Sequence, residues 1–161
     1  MMLLLAAIFR DHVEPDRLLL VGGRLAVAVA LGGLIGFERK LEGKSAGMRT
    51  HMLVALGAAV FTLTPLEGGI EDRDLSRVIQ GIAAGIGFLG AGTILKAEIP
   101  HRVEGLTTAA SIWLTAAAGM AVGAGFFWPA LAAVVLGWLI LDPVHRAERW
   151  ARRRLGQTPS E

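Results

Sequence analysis

Apolar stretches of nearly transmembrane length, separated by short polar segments, make up most of this chain. A transmembrane helix needs about 20 mostly apolar residues. Stretches that approach this length are Leu18–Phe37, Met48–Leu66, Val78–Leu95, Leu106–Val122 and Phe126–Leu141. The pattern predicts an all-α integral membrane protein, a compact bundle of five transmembrane helices.

The last two stretches are separated by a segment containing Gly123, Gly125 and Pro129, residues that favour a tight turn. The alternative is one long kinked helix. Its apolar residues would exceed a single bilayer crossing of about 20 residues. We therefore predict two spans here.

The third stretch is rich in glycine, with Gly81, Gly85, Gly87, Gly90 and Gly92. In water each glycine costs a helix about 0.8–1 kcal/mol relative to alanine. In a bilayer the backbone must bond internally, and small residues let neighbouring helices approach closely. At about 3.6 residues per turn, Gly81, Gly85 and Gly92 share one face, and Gly87 and Gly90 lie roughly opposite. The pattern predicts a helix packed on two sides, at the centre of the bundle.

Composition supports a membrane protein. The 161 residues are 53% hydrophobic, with a mean hydropathy of +0.55, which is high for a soluble domain. The absence of cysteine excludes disulfides and thiolate metal sites. Residues 1–17 begin with an apolar segment too short to span and without the features of a signal peptide, so we interpret them as an N-terminal interfacial segment.

The distribution of positive charge predicts the orientation. Eleven Lys and Arg residues lie on one side of the predicted spans, four lie on the other, and Arg24 lies within the first span. Because positive residues accumulate in the cytoplasm, the N-terminus is predicted outside and the C-terminus inside. Residues 142–161 then form a basic cytoplasmic tail, suited to an anionic leaflet rather than to nucleic acid.

A weak internal repeat relates Gly47–Ala59 to Gly105–Ala117, since both begin with Gly, an apolar residue, a variable residue and Thr. Spans one and two, and spans three and four, can therefore be read as two copies of a helical hairpin, with span five added. A chance match between such simple compositions is the alternative.

Polar residues collect at the predicted cytoplasmic end of the bundle. The candidate functional cluster is Glu38, Arg39, Arg49, Thr50, His51, Thr107 and Thr108. The structural alternative is that the basic residues anchor the spans and the threonines cap helices. Glu38 fits that alternative poorly, because a carboxylate near a span is usually paired. We expect it to pair with Arg39 or Arg49, or with groups at the start of span two or four.

Other polar residues support no separate site. His51 could titrate near neutral pH, but a hydrogen-bonded structural role is favoured, and with Glu38 it supplies too few ligands for a metal. Arg24 is expected to snorkel outward, or to pair with Gln80 or an outer carboxylate. The acidic residues of the loop after span two are expected to be solvated rather than to bind Mg²⁺; they are Glu67, Glu71, Asp72 and Asp74.

The sequence contains no catalytic signature. The glycines of Gly85–Gly92 lie within a membrane span rather than in a strand–helix turn, which excludes a dinucleotide fingerprint. There is no metalloprotease HExxH motif, no triad spacing and no paired catalytic carboxylates. We therefore expect no enzyme, no cofactor and no metal.

Four motifs, in order, resemble the MgtC/SapB family of bacterial inner-membrane proteins. They are Gly36–Arg39 (GFER), Gly47–Ala59, Gly85–Leu95 and Gly105–Trp113. The resemblance covers roughly residues 18–141. It implies a five-span inner-membrane domain with the N-terminus outside, and it maps the motif glutamate and the polar residue after Arg-Thr onto Glu38 and His51.

The resemblance also implies a role. Family members are associated with growth at low Mg²⁺ and with survival inside host cells, as regulators of other membrane proteins, with the ATP synthase as a candidate partner. Virulence-associated members carry an ACT-like domain after the membrane part. This sequence ends about twenty residues after span five, so functions of that domain are not expected here.

The leading hypothesis is thus a non-enzymatic membrane regulator that binds the helices of partner proteins. A small Mg²⁺ or ion carrier and a structural homo-oligomer are the alternatives. A carrier is less favoured because no span has a carboxylate at its middle, where a divalent cation would need oxygen ligands.

Overall fold

The computed structural model describes residues 14–94 and 104–141. These residues form α1 (Pro15–Leu41), α2 (Met48–Glu67), α3 (Asp72–Ile94), α4 (Leu106–Gly123) and α5 (Phe127–Leu139). No strand occurs within the two described ranges, which confirms the predicted all-α class. Most of the predicted interfacial segment and the whole predicted tail lie outside the described residues.

The helices match the predicted spans closely. Four of them, α1 to α4, are long and apolar enough to cross a membrane. Helix α5 is apolar but has 13 residues. At about 1.5 Å per residue it is about 20 Å long, shorter than a hydrocarbon core of about 30 Å. A π-helical turn continues it through Ile140 and Leu141, the last described residue.

Helices α4 and α5 are separate, as predicted, rather than one kinked helix. Gly125 lies in the turn between them with φ of 89°. Glycine adopts this left-handed conformation without the steric penalty that a Cβ would add.

The core forms where glycines of α1 and α4 meet alanines of α2. A Cβ added at Gly32 of α1 would lie 2.6 Å from the His51 carbonyl oxygen, and one added at Gly123 of α4 would lie 2.5 Å from the Ala59 carbonyl oxygen. Gly36 and Gly119 make equally close contacts with α2. Each helix therefore presents two glycines spaced four residues apart, the arrangement that lets membrane helices pack backbone to backbone.

The predicted central position of the glycine-rich helix α3 is wrong. In the most apolar 18-residue window of α3 only 6% of the residues are buried, compared with 50% in α4. Helix α4 packs against each of the other described helices and occupies the centre instead.

The glycines of α3 show the same result individually. Gly81, Gly85, Gly87 and Gly92 have open space where a Cβ would lie, and only Gly90 approaches another helix, at Ala109 of α4. The spacing of glycines shows which face of a helix allows close packing. It does not show whether another helix of the same chain packs against that face. Of the packing predicted for the five glycines, only the contact of Gly90 is therefore made within the described part of the chain.

Candidate functional site

A buried ion pair lies at the end of α1. Glu38 and Arg39 are only 4% and 2% exposed. Arg39 Nη2 donates a 2.6 Å hydrogen bond to Glu38 Oε1, and Arg39 Nε donates to Oε2. Consecutive residues of a helix do not normally face each other. The long arginine side chain nevertheless reaches its neighbour, and both carboxylate oxygens are engaged in a pair of zero net charge.

His51 lies one turn into α2 and is completely buried. Its Nδ1 is 2.9 Å from the Gly47 carbonyl oxygen, and its Nε2 is 3.1 Å from Ser111 Oγ of α4. On the α1 side, a Cβ added at Gly36 would lie 3.0 Å from His51 Cβ. The imidazole therefore lies at the junction of α1, α2 and α4, and it links α2 to α4 by a hydrogen bond.

Hydroxyl groups continue this polar junction along α4. Ser111 Oγ lies 2.8 Å from the Thr108 carbonyl oxygen, within hydrogen-bond distance, and Thr115 Oγ1 donates to the Ser111 carbonyl oxygen at 2.7 Å. All three side chains are buried. Bonding back to the preceding turn satisfies a hydroxyl where water is excluded.

A second polar contact lies at the opposite end of the bundle. Arg24 Nη1 of α1 donates to the carbonyl oxygen of Gly123, the last residue of α4, at 3.4 Å. Its guanidinium lies against Gly125, where an added Cβ would be 3.1 Å from Nη2. A cation is favourable here because the C-terminal carbonyls of a helix carry partial negative charge. Arg24 thus reaches toward the end of the bundle and contacts a helix terminus there, and the alternative pairing with Gln80 or a carboxylate is not among its contacts within the described residues.

Comparison of the sequence with known protein families identifies the family of this chain. The sequence profile of the MgtC family matches residues 25–150, which include most of α1 and all of α2 to α5. The chain belongs to the MgtC family.

Relatives cover the same region. The chain is 42% identical over 143 residues to protein SrpB of Synechococcus elongatus, an alignment covering 81% of this chain and 79% of SrpB. It is 38% identical over 130 residues to Putative magnesium transporter YhiD of Escherichia coli K12, covering 76% of this chain and 60% of YhiD. It is 49% identical over 112 residues to protein MgtC of Brucella abortus, covering 69% of this chain and 45% of that protein.

The match to YhiD and to the Brucella protein thus extends over less than two thirds of their own length. No solved structure matches the chain significantly.

Within this MgtC-family domain, the structure brings together part of the predicted polar cluster. Glu38 pairs with Arg39, and His51 meets Thr108 through Ser111. The remaining members are exposed; they are Arg49, Thr50 and Thr107. The contacts predicted for Glu38 from the start of α2 or α4 are not among its side-chain hydrogen bonds here, because Arg39 occupies both oxygens.

Two buried polar residues were missed from the sequence. Thr62 and Thr115 are completely buried, and each hydroxyl donates to the carbonyl four residues earlier. Threonine within an apolar span is compatible with either a lipid-facing or a buried position, since its hydroxyl can bond to its own helix in both. The sequence therefore carried no signal that distinguished them.

Acidic residues near the loop between α2 and α3 pair with arginines. Glu67, Glu71 and Asp74 contact Arg17, Arg73 and Arg77 at 3.4, 3.8 and 3.8 Å. Within residues 14–94 and 104–141, no three His, Asp or Glu side chains converge as ligands for a metal ion.

Proposed function

We propose that this chain is a non-enzymatic, multi-pass inner-membrane protein that acts by binding transmembrane helices of other membrane proteins. Its physiological setting is adaptation to low magnesium and survival inside host cells, and the proton-translocating ATP synthase is the first partner to test. Membership of the MgtC family supports the membrane setting and is the reason for testing the ATP synthase first, and helix binding is inferred from the exposed face of α3.

The exposed face of α3 is the observation that carries the proposal. Gly81, Gly85 and Gly92 share this face, and no atom of another helix lies within 4 Å of the Cβ position of any of them. Phe88, on the same face, is 82% exposed. Each glycine lowers the intrinsic stability of a helix. Close packing against the backbone of another helix offsets this loss, because glycine leaves room for that approach.

An apolar groove beside this face is suited to seat a partner helix. It lies between α2 and α3, has a volume of about 600 Å³, and is lined by apolar residues that include Leu53, Phe61, Ile82 and Ile86. Gly81 and Gly85 form part of its wall. A partner helix seated along α3 would cover both the glycines and the groove.

Magnesium transport is the second candidate, because the name of the Escherichia coli relative YhiD refers to it. The state of Glu38 favours the first proposal. Mg²⁺ binds carboxylate oxygens with near-octahedral geometry, whereas both oxygens of Glu38 are already bonded to the Arg39 guanidinium.

A matched pair of glycine variants tests the proposal. Gly85 of α3 and Gly23 of α1 both have open space around the Cβ position, so leucine at either site is accommodated within the chain. We expect Gly85→Leu to abolish co-purification of partners and growth at low Mg²⁺, and Gly23→Leu to retain both. A photoreactive phenylalanine analogue at Phe88 should crosslink to ATP synthase membrane subunits, and the same analogue at Phe37 of α1 should not.

Two results would contradict this function. The first is normal partner capture and growth with Gly85→Leu. The second is saturable Mg²⁺ uptake by proteoliposomes containing the purified chain alone, which would support transport instead.

A further inference from the structure

We propose that His51 and Ser111 form a buried proton-binding site at the junction of α1, α2 and α4. The site is defined by the two contacts of the imidazole, from Nδ1 to the Gly47 carbonyl oxygen at 2.9 Å and from Nε2 to Ser111 Oγ at 3.1 Å. The MgtC-family comparisons assign no such site, and the inference does not depend on which partner the chain binds.

The contact at Nδ1 determines the tautomer of the neutral ring. A carbonyl oxygen only accepts hydrogen bonds, so Nδ1 must carry the proton and donate it to Gly47. Nε2 then has a lone pair and must accept, which requires Ser111 Oγ to donate its single hydrogen to the imidazole. In this state Ser111 Oγ makes no bond to Thr108.

The contacts around Ser111 also suit the charged ring. When Nε2 is protonated it donates to Ser111 Oγ, and the hydroxyl hydrogen turns to the Thr108 carbonyl oxygen, which lies 2.8 Å away. Rotation about one bond therefore converts the hydrogen bonds of the neutral state into those of the cationic state. No heavy atom has to move, and no buried ring nitrogen is left unsatisfied in either state.

The charged side chains buried near the ring belong to α1. There the Glu38 carboxylate and the Arg39 guanidinium pair with each other, so their charges cancel. Helix α4 and helix α5 contain no ionisable side chain, and the charged residues of α3 lie at its far end, between Asp72 and Arg77. On α2 itself, Arg49 is exposed to solvent. Among the buried side chains of the described helices, the bound proton therefore adds a charge beside an ion pair of zero net charge.

Nitrogen NMR of the ring tests the site. The chain contains four histidines. Replacing the other three, as His12→Gln, His101→Gln and His145→Gln, leaves His51 as the only source of imidazole signals. The full-length triple variant in lipid nanodiscs is titrated between about pH 5 and 8, the range where histidine ordinarily changes charge.

We expect the neutral ring to be protonated at Nδ1 and to convert reversibly to the doubly protonated form. Ser111→Ala, made in the triple variant, removes the acceptor for the charged ring. Since a hydrogen bond of a charged group is the stronger one, the equilibrium constant for protonation should fall about fivefold or more.

Two controls separate this effect from a general loss of structure. Ser111→Thr restores a hydroxyl and should restore the titration. Thr115→Ala removes a hydroxyl that is equally buried on α4 but donates to Ser111 O rather than touching the ring, and it should leave the titration unchanged. A neutral ring protonated at Nε2, a ring that does not titrate in the folded protein, or a Ser111→Ala titration identical to that of the parent would each overturn the proposal.

Discussion

Glu38 and Arg39 are removed from solvent together, in a pair that satisfies both carboxylate oxygens. Two buried charges recover only part of their hydration energy through mutual attraction. The pair therefore contributes little net stability, whereas the loss of one member leaves the other charged, buried and without its partner. This asymmetry makes the pair sensitive to single substitutions.

We predict that Glu38→Ala lowers the free energy of unfolding by about 3–5 kcal/mol, because Arg39 is left buried and unpaired. Unfolding in mixed detergent micelles measures the change. Arg49→Ala, at an exposed position of the next helix, is the control and should stay within about 0.5 kcal/mol of the parent.

Replacing both charges, as Glu38→Leu with Arg39→Leu, should recover most of the lost stability. Wild-type stability of Glu38→Ala would mean that Arg39 reaches solvent, and the buried pair would not be the structural element described here.

At the scale of helices, the glycines divide into two groups with opposite roles. Gly32, Gly36, Gly119 and Gly123 allow α1 and α4 to reach the backbone of α2, whereas most glycines of α3 have no described atom of another helix within 4 Å of their Cβ position. The five glycines of α3 stand out more strongly in the sequence, but the other group holds the bundle together.

We predict that Gly32→Ala and Gly123→Ala each destabilise the fold by about 1–3 kcal/mol, because the added methyl group overlaps backbone atoms of α2 that cannot move aside cheaply. Gly85→Ala serves as the matched substitution on α3. It should be neutral or stabilising by up to about 1 kcal/mol, since alanine is the better helix former. The three variants are compared by the same unfolding measurement.

Equal losses at all three glycines would contradict this division and restore the central position predicted for α3. Because the Cβ position of Gly85 is open among the described residues, a functional defect of Gly85→Leu reports on a partner rather than on folding.

At the scale of the whole molecule, the two ends of the bundle differ in chemistry. One end carries the acidic residues paired with Arg17, Arg73 and Arg77, together with exposed aromatic residues at the α4–α5 turn. The other end contains the buried junction of Glu38, Arg39 and His51. Aromatic residues favour both membrane interfaces, so they mark the α4–α5 turn as an interfacial region, and the orientation still depends on the Lys and Arg distribution.

We predict that the N-terminus and the loop between α2 and α3 face outward, and that the segment between α3 and α4 faces the cytoplasm. Reporter fusions truncated after residue 70 and after residue 100 measure this. Alkaline phosphatase, which is active only outside, should be active at 70 and inactive at 100, and a cytoplasmic fluorescent reporter should show the reverse. The same compartment for both positions would be incompatible with the proposed topology.

Much of this structure could be predicted from the sequence alone. Apolar stretches of sufficient length predicted the helices to within a few residues, because in a bilayer a continuous apolar segment has no stable alternative to a helix. The turn before α5 was indicated by its glycines, and the pairing of Glu38 by the cost of leaving a carboxylate unpaired near lipid. The family was recognisable from motifs such as GFER. The internal duplication and the orientation stay predictions.

Only the tertiary structure decided which helix occupies the centre, which glycines are contacted, and which groups meet His51. In water, amphipathic periodicity distinguishes the buried face of a helix, but in lipid both the core and the surroundings are apolar, and the pattern loses that information. The position of α4 at the centre and of α3 at the edge follows from backbone fit at Gly32, Gly119 and Gly123. That fit depends on which helices are neighbours, a property of the assembled bundle and not of any one segment.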